Sequence, residues 1–163
     1  MKIGILSDTH GCFDDRLRTF FAAADELWHA GDVGSAEVAD AMAAFKPVRA
    51  VYGNIDGEAV RRIYPRVQRF TCCGVDVLIT HIGGYPGRYD TSIIETLYSN
   101  PPQLFVCGHS HILKVMYDKK LNFLHINPGA AGMYGLHHVR TAVRLEIVDG
   151  KMQNLEVGEW GRK

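Results

Sequence analysis

The sequence lacks the features that would place it in a membrane. None of the hydrophobic runs in this chain of 163 residues approaches the roughly 20 apolar residues that a membrane-spanning helix needs. The N-terminus opens directly into a strand pattern, without a basic segment, an apolar signal core or a small-residue cleavage site. We therefore expect no membrane association and a cytoplasmic location.

An excess of either charge is also absent. The chain carries 18 Lys and Arg residues against 18 Asp and Glu residues, for a formal net charge of zero. This balance gives no broad attraction for nucleic acid, which we do not expect as a partner. One local basic cluster is either a solvated face or a contact patch for an anionic substrate: Arg61, Arg62, Arg66 and Arg69.

Cysteine is scarce and shows no CxxC spacing. The four cysteines are Cys12, Cys72, Cys73 and Cys107, and the adjacent pair at 72 and 73 cannot easily bond to each other. In a cytosolic chain such residues are typically reduced and mostly buried. We expect no disulfide framework and no catalytic cysteine.

Linkers, low-complexity tracts and fixed-period repeats are missing as well. Residues 1–163 should therefore form a single domain, which is long enough to bury most of its apolar surface.

What the sequence does contain is an alternation of strand and helix patterns in its first half. A helix should follow the first strand, because Leu17, Phe21 and Ala24 share a face at helical spacing. Ser35 can cap a second helix that Pro47 terminates. Residues 57–62 give only a weak helical signal. Ser92-Ile93-Ile94-Glu95 fits a capping box that opens a helix running through Tyr98.

The second half is richer in strand patterns. Val67–Cys72 and Val75–Thr80 flank Cys73-Gly74 and indicate a hairpin, and Asp149-Gly150 is a second strong hairpin turn. The total of about nine or ten strands with about three helices is too large for one flat sheet. We therefore predict an α/β (α+β) fold, a four-layer sandwich of two mixed β-sheets packed face to face with helices outside.

Five apolar, strand-like runs each end at a residue that binds metal well. The side chains concerned are Asp8, His10, Asp32, Asn54, His81, His109 and His111. Because ligands bind beyond the carboxyl ends of strands in open α/β sheets, we expect these ends to converge on one site.

The spacing and chemistry of these residues favour a metal centre. Asp8 and His10 are two apart, as are His109 and His111, and alternate residues of an extended segment point the same way. Oxygen and imidazole ligands without thiolate suit manganese, iron, cobalt or zinc better than calcium. A single ion would not need so many ligands, whereas two ions about 3.5–4 Å apart clamp a phosphoryl group in hydrolysis.

The ordered set of motifs resembles the calcineurin-like metallophosphoesterases. It consists of Asp8-Thr9-His10, Gly31-Asp32, Gly53-Asn54, Thr80-His81 and Gly108-His109-Ser110-His111. In its small size the chain is similar to members of the compact YfcE-type phosphodiesterase branch. Asn127-Pro128-Gly129 also resembles that branch, although Ala130 replaces the expected serine.

The resemblance implies a role for each residue. Asp8, His10 and His111 would hold one metal, Asp32 would bridge, and a second metal would have three further ligands: Asn54, His81 and His109. Two divalent ions are implied, manganese first, with iron, nickel, cobalt and zinc as alternatives. A water activated between them would attack the phosphorus of a small phosphodiester. Asp32, Asn54 and His81 would then act in catalysis through that water.

One departure from the family bears on the chemistry. Many relatives carry a histidine after the Gly-Asn pair to protonate the leaving group, and this chain has Ile55 there, followed by Asp56. Loss of general acid help typically costs about 10²–10⁴-fold in rate, so we expect slow turnover and a preference for good leaving groups. Asp56 is either a substitute acid or a turn or helix-capping residue.

Further alternatives stay open at this stage. His29 either orients a metal ligand from behind or is an ordinary buried, bonded histidine, and His125, His137 and His138 fit no ligand pattern. The rival functions are a metal-binding scaffold similar to the retromer scaffold subunit, a phosphomonoesterase and, less favoured, a nuclease. Residues 132–136 could form a contact within a homo-oligomer.

Overall fold

The computed structural model describes residues 1–162 of the chain. Within that range, twelve strands and four helices alternate as follows: β1 (Lys2–Leu6), α1 (Asp15–Phe20), β2 (Glu26–His29), α2 (Ala36–Phe45), β3 (Val48–Ala50), α3 (Glu58–Ile63), β4 (Val67–Cys72), β5 (Val75–Thr80), β6 (Gly84–Tyr85), β7 (Arg88–Tyr89), α4 (Ile94–Ser99), β8 (Leu104–Val106), β9 (Leu113–Asp118), β10 (Phe123–Pro128), β11 (Val139–Val148) and β12 (Lys151–Gly161). No helix in this range is long and apolar enough to cross a bilayer.

Two mixed sheets of five strands form the body of the protein. The first has the order β12-β11-β1-β2-β3 and the second the order β4-β5-β8-β10-β9, while β6 and β7 form a separate short ribbon. Strands β1, β2 and β3 run parallel, as do β5, β8 and β10. The predicted sandwich of two mixed sheets with outer helices is confirmed.

Three apolar clusters fill the layers between these elements. Residues such as Ile5, Trp28 and Val106 form the central core between the sheets. A second cluster, which includes Leu17 and Met42, packs α1 and α2 onto the first sheet, and a third packs α4 onto the second sheet. Burial on both faces explains why the central parallel strands read as continuous apolar runs.

Local signals in the sequence explain most element boundaries. The Ser35 side chain accepts a hydrogen bond from the amide of Val38 and caps α2, as predicted. Asp14 caps α1 in the same way through the amide of Leu17. Both predicted hairpins form, with positive φ at Cys73-Gly74 and at Asp149-Gly150, as tight hairpin turns require.

The predicted capping box at Ser92 is wrong. Helix α4 begins at Ile94, and its N-cap residue Ile93 makes no side-chain cap. The amide and hydroxyl of Ser92 instead donate to the carboxylate of Asp90, two residues earlier. Such a local turn competes with helix capping.

Candidate metal centre

The seven predicted metal ligands all lie just beyond strand ends at the same edge of the sandwich. Asp8, Asp32 and Asn54 follow the parallel strands β1, β2 and β3, whereas His81 and His109 follow the parallel strands β5 and β8. The loop after β8 and the loop after β1 contribute the two remaining side chains, His111 and His10. The structure therefore brings together ligands that are more than 100 residues apart in the chain.

Asp8, His10 and His111 form the first of two ligand groups. One atom from each lies within 4.8 Å of the other two. Oδ1 of Asp8 is 3.2 Å from Nε2 of His111 and 3.7 Å from Nε2 of His10. Oδ1 of Asp8 and Nε2 of His10 are buried without a hydrogen-bond partner among the described residues. Buried polar atoms are rarely left unpaired, so these two atoms fit a site for a metal ion.

Asp32, His81 and His109 form the second group, with ligand atoms again within 4.8 Å of one another. Asn54 joins this group, because its Oδ1 lies 3.0 Å from Nε2 of His81 and 3.0 Å from Nδ1 of His109. Nδ1 of His81 lies 2.7 Å from the carbonyl oxygen of Ala30. A carbonyl only accepts, so Nδ1 carries a proton, and Nε2 is the ring nitrogen that faces the other ligands of the group.

The Asp32 carboxylate lies between the two groups. Its Oδ2 is 3.2 Å from Nε2 of His81 in the second group and 3.5 Å from Nε2 of His10 in the first. Its Oδ1 accepts a hydrogen bond of 3.1 Å from the amide of Ile55. One carboxylate oxygen therefore faces both groups, which is an arrangement that a bridging ligand can use.

The backbone at the site differs from the extended geometry expected from the sequence. Five of the seven residues have left-handed φ angles of 45–72°: Asp8, His10, Asp32, His109 and His111. The expectation that the two-residue spacing acts through an extended segment is therefore wrong, because the chain turns sharply at each strand end. Left-handed conformation costs an L-residue about 1–2 kcal/mol and is concentrated at functional sites.

Charge interactions at the site are strong. Burial works to raise the pKa of Asp8, but its contacts with His10, His111 and Ser7 and the charge of His81 hold that pKa well below its usual range. The adjacent Asp8 carboxylate raises the pKa of His10. Burial lowers the pKa of His81, yet Asp32 and Asp8 more than compensate and raise it. The Asp8 carboxylate thus stays ionised and attracts cations.

Neighbouring groups fix the orientation of Asp8. Its Oδ2 accepts from the hydroxyl of Ser7 at 2.6 Å and from the amide of His109 at 3.1 Å. Gly108 leaves room for this contact, since a Cβ atom there would lie 2.0 Å from the Ser7 hydroxyl oxygen and 2.8 Å from Oδ2 of Asp8. Ser7 carries no ligand pattern in the sequence, so only the fold reveals its contact with Asp8.

His29 is buried and bonded at both ring nitrogens. Nδ1 accepts from the amide of Gly31 at 3.0 Å, so Nε2 carries the proton and donates to the hydroxyl of Thr9 at 2.9 Å. Burial lowers the pKa of His29 to about 4, which keeps the ring neutral. His29 makes no hydrogen bond to a ligand side chain, but it joins the loop that carries Asp8 to the loop that carries Asp32.

Asp56 is engaged in stabilising the surrounding loops. Its two carboxylate oxygens accept from the amides of Val33, Gly34 and Gly53 at 2.8–3.1 Å, and only 3% of the residue is exposed. Three main-chain donors occupy most of its acceptor positions, and the carboxylate makes no hydrogen bond to any of the seven ligand side chains. Of the two roles weighed from the sequence, this geometry favours the turn-stabilising one.

The segment 132–138 borders the site in a way that the sequence did not indicate. The Tyr134 ring, in a residue that is 73% exposed, lies 5.4 Å from the ring of His10. The His137 ring meets that of His111 at 5.1 Å, and its Nε2 bonds to the carbonyl oxygen of Gly132. Arg162 anchors the segment by donating to the carbonyl oxygens of residues 133 and 137. No periodicity or motif marks these residues in the sequence.

The four arginines of the basic cluster do not form one patch. Arg61 stacks on the ring of Tyr52, Arg62 pairs with Glu58 on the surface, and Arg69 pairs with Asp76. Arg66 lines a cavity that also borders Asn54 and His81. Of the four, Arg66 is the one that lines a cavity together with candidate ligands.

The donor set fits two divalent ions. It offers two carboxylates, one amide oxygen and four imidazoles in two clusters that share Asp32. Such mixed oxygen and nitrogen sets suit manganese, iron, cobalt, nickel or zinc. The unpaired buried atoms of Asp8 and His10 are the places where one ion would complete the arrangement.

Comparison with known families agrees with this geometry. The calcineurin-like phosphoesterase superfamily domain matches residues 1–150. The chain belongs to this superfamily. The matched region thus contains all seven candidate ligands and every strand except β12. A search of curated proteins found no significant match.

Solved structures with the same fold align with nearly the whole chain. A novel archaeal phosphodiesterase is 25% identical, with a TM-score of 0.73, and the match covers 96% of this chain and 99% of that one. Vps29 from Chaetomium thermophilum is 12% identical with a TM-score of 0.75, covering 98% and 97%. A Zn²⁺ complex of Vps29 from Entamoeba histolytica is 15% identical with a TM-score of 0.73, covering all of both chains.

Proposed function

We propose that this calcineurin-like domain is a binuclear metal-dependent phosphodiesterase. The observation that carries the proposal is the position of Asp32, whose Oδ2 faces His81 at 3.2 Å and His10 at 3.5 Å. One ion would be held by Asp8, His10, His111 and Asp32, and the other by Asp32, Asn54, His81 and His109. The likeness to the archaeal phosphodiesterase supports the same reading.

The two ions would supply Lewis acidity, which would activate a water for attack and neutralise charge on the phosphoryl oxygens. The protein residues do the remaining work. Asp8 stays ionised, and together with the Asp32 carboxylate it would hold the positive charge in place. Nδ1 of His81 donates to Ala30, so that its Nε2 is aimed at the site. Main-chain bonds, such as that from the amide of His10 to Asp32, hold the two loops together.

The absence of a proton donor after Asn54 limits the substrates. Ile55, which is 48% exposed, occupies the position where many relatives carry histidine, and the carboxylate of Asp56 is bound to three amides. Without a general acid, the leaving group must depart as an anion. We therefore expect aryl or other activated phosphodiesters to be hydrolysed faster than simple alkyl diesters.

Hydrolysis of an aryl phosphodiester tests the proposal. Chelator-treated protein should be inactive, added Mn²⁺ should restore turnover, and Asp32→Ala should abolish it by removing the shared ligand. Asp40→Ala, on the exposed face of α2, is the matched control and should behave like the wild type. Turnover that survives Asp32→Ala, or that needs no metal, contradicts the proposal.

A metal-binding scaffold of the same fold is the second candidate. It is favoured by the likeness to Vps29 and by apolar side chains exposed beside the site: Ile55, Ile112 and Leu136. A scaffold would bind the two ions without turning over any diester. Phosphomonoesterase activity is the remaining alternative, and a monoester cleaved much faster than every diester tested would establish it in place of our proposal.

A further inference from the structure

A small cavity lies next to the loop that carries His109 and His111. It has a volume of about 80 Å³ and is bounded by the β6–β7 ribbon on one side and by strands β9 and β10 on the other. Its walls are Gly84, Tyr85, Ser110, Ile112, Lys114, His125 and Asn127. The metal ligands themselves do not line it, so this space is separate from the metal centre.

His125 is the feature that calls for a ligand here. The residue is completely buried, and neither of its ring nitrogens has a hydrogen-bond partner within residues 1–162. One face of the ring packs against Phe105, with centroids 5.5 Å apart. Leaving a buried polar group unpaired costs about 1–3 kcal/mol, so a partner inside the cavity is expected.

Two other groups in the walls have hydrogen atoms to donate. The hydroxyl oxygen of Ser110 accepts from Nδ2 of Asn127 at 3.0 Å and from the amide of Ile112 at 3.2 Å, which leaves its own O–H free. The Lys114 ammonium lies 4.3 Å from the centre of the Tyr85 ring and makes no ion pair with any acid of the described chain.

Apart from the unprotonated ring nitrogen of His125 and the hydroxyl of Tyr85, the cavity walls contain no free acceptor side chain. Asn127 uses Nδ2 on the carbonyl oxygen of Gly108 and on Ser110, and its Oδ1 accepts from the amide of Gly129. No carboxylate lines the cavity. A metal cation would therefore meet a lysine and no counter-charge, whereas an anion would meet donors.

The protonation state of His125 agrees with this arrangement. Burial, and after it the charge of Lys114, lower its pKa to about 4. The neutral ring offers one N–H donor at physiological pH. Lys114 contributes the positive charge.

We propose that this cavity is an oxyanion site that takes a phosphate-sized group. The oxygens of the anion accept from His125 and Ser110 and from the ammonium of Lys114. The group is either free inorganic phosphate or a second phosphate carried by the diester substrate. The second source rests on the proposed function, because it requires the metal centre to hold the scissile phosphate next door.

Nuclear magnetic resonance of the full-length protein tests the site directly. Inorganic phosphate should shift the His125 Cε1–H signal saturably, both with Zn²⁺ and after removal of metal, and leave exposed His138 unmoved. Lys114→Gln should weaken this binding about tenfold or more, since it removes a charge-assisted hydrogen bond. Lys119→Gln, an exposed lysine near the end of the same strand, is the matched control.

Three results would overturn the inference. The His125 signal could fail to respond, it could respond equally to chloride at the same ionic strength, or it could respond only when Zn²⁺ is bound and regardless of Lys114→Gln. The last result would place the phosphate at the metal centre alone. If ordered water fills the cavity and phosphate does not displace it, the His125 signal will not respond, which is the first of these results.

Steady-state kinetics then assign the source of the phosphate. If the substrate supplies it, Lys114→Gln raises KM about tenfold for a diester that carries a terminal phosphate and leaves KM unchanged for the same diester without one. If it comes from solution, both diesters keep their KM values while phosphate still binds. A protein that binds phosphate at His125 but hydrolyses no diester refutes the proposed function and leaves the oxyanion site standing.

Discussion

Gly53 lies so close to Asp32 that a side chain at position 53 would displace it. A Cβ atom on Gly53 would be 2.0 Å from Oδ1 of Asp32 and 2.3 Å from the Asp32 amide nitrogen. A carbon atom does not approach a non-bonded atom this closely. Asp32 is also the residue whose carboxylate faces both ligand groups. The position before Asn54 therefore requires glycine because Asp32 lies so close. This steric requirement is independent of turn geometry.

Gly53→Ala should consequently weaken metal binding without removing any ligand. We expect at least a tenfold loss in affinity for one of the two ions, a size typical of displaced groups around metal sites. Isothermal titration with Mn²⁺ measures it. Gly57→Ala is the matched control, since a Cβ atom there meets nothing within 4 Å. Equal affinities for both variants would show that Asp32 tolerates displacement or does not bind metal.

Asp56→Asn should destabilise the protein while leaving the pH dependence of turnover unchanged. Asp56 accepts from three main-chain amides, and an amide side chain has only one oxygen to replace two. The expected loss in the free energy of unfolding is about 1–3 kcal/mol, measured by denaturant titration. Asp40→Asn serves as the exposed control. Unaltered stability combined with a 10²–10⁴-fold slower turnover of poor leaving groups would instead identify Asp56 as the general acid.

Acid should destabilise the protein through His29. Its pKa is about 4 in the folded state against 6.5 for an unperturbed histidine, so the unfolded chain takes up the proton first as pH falls. The stabilisation is complete above pH 6.5 and is lost progressively down to pH 4, about 3 kcal/mol in all. Thermal or denaturant unfolding of His29→Asn should show a shallower loss than the wild type across this window. A variant with the same slope as the wild type would refute this account of His29.

Metal affinity should rise with pH. The carboxylates raise the pKa values of His10 and His81, so protons compete with metal at these rings until the pH exceeds those values. We expect the apparent affinity for Mn²⁺ to be at least tenfold weaker at about pH 6 than at about pH 8. His138→Gln, which alters an exposed histidine, should leave this dependence intact. An affinity that is constant over the range would mean that neither ring binds the ion.

Much of the fold follows from local signals in the sequence. The turns at Cys73-Gly74 and Asp149-Gly150 and the cap at Ser35 form as predicted, because each depends on neighbouring residues only. The cap at Ser92 failed because Asp90, also close by, offered a competing acceptor. Sequence patterns identify such elements but do not rank competing local hydrogen bonds.

The candidate site could be assembled from the sequence as a set of residues but not as a geometry. Ligand types at strand ends, together with the family resemblance, identified the seven side chains. The left-handed backbone at Asp8, His10 and Asp32 depends on loop-to-loop hydrogen bonds between segments far apart in the chain. Contacts such as that of Tyr134 with His10 likewise arise only after folding, and no periodic pattern in the sequence predicts them.

Anomalous scattering from crystals grown with Mn²⁺ tests the central claim most directly. The account predicts two peaks, one bounded by Asp8, His10 and His111 and the other by Asn54, His81 and His109, with Asp32 in contact with both. No bound ion, or an ion bound away from these seven side chains, would contradict it.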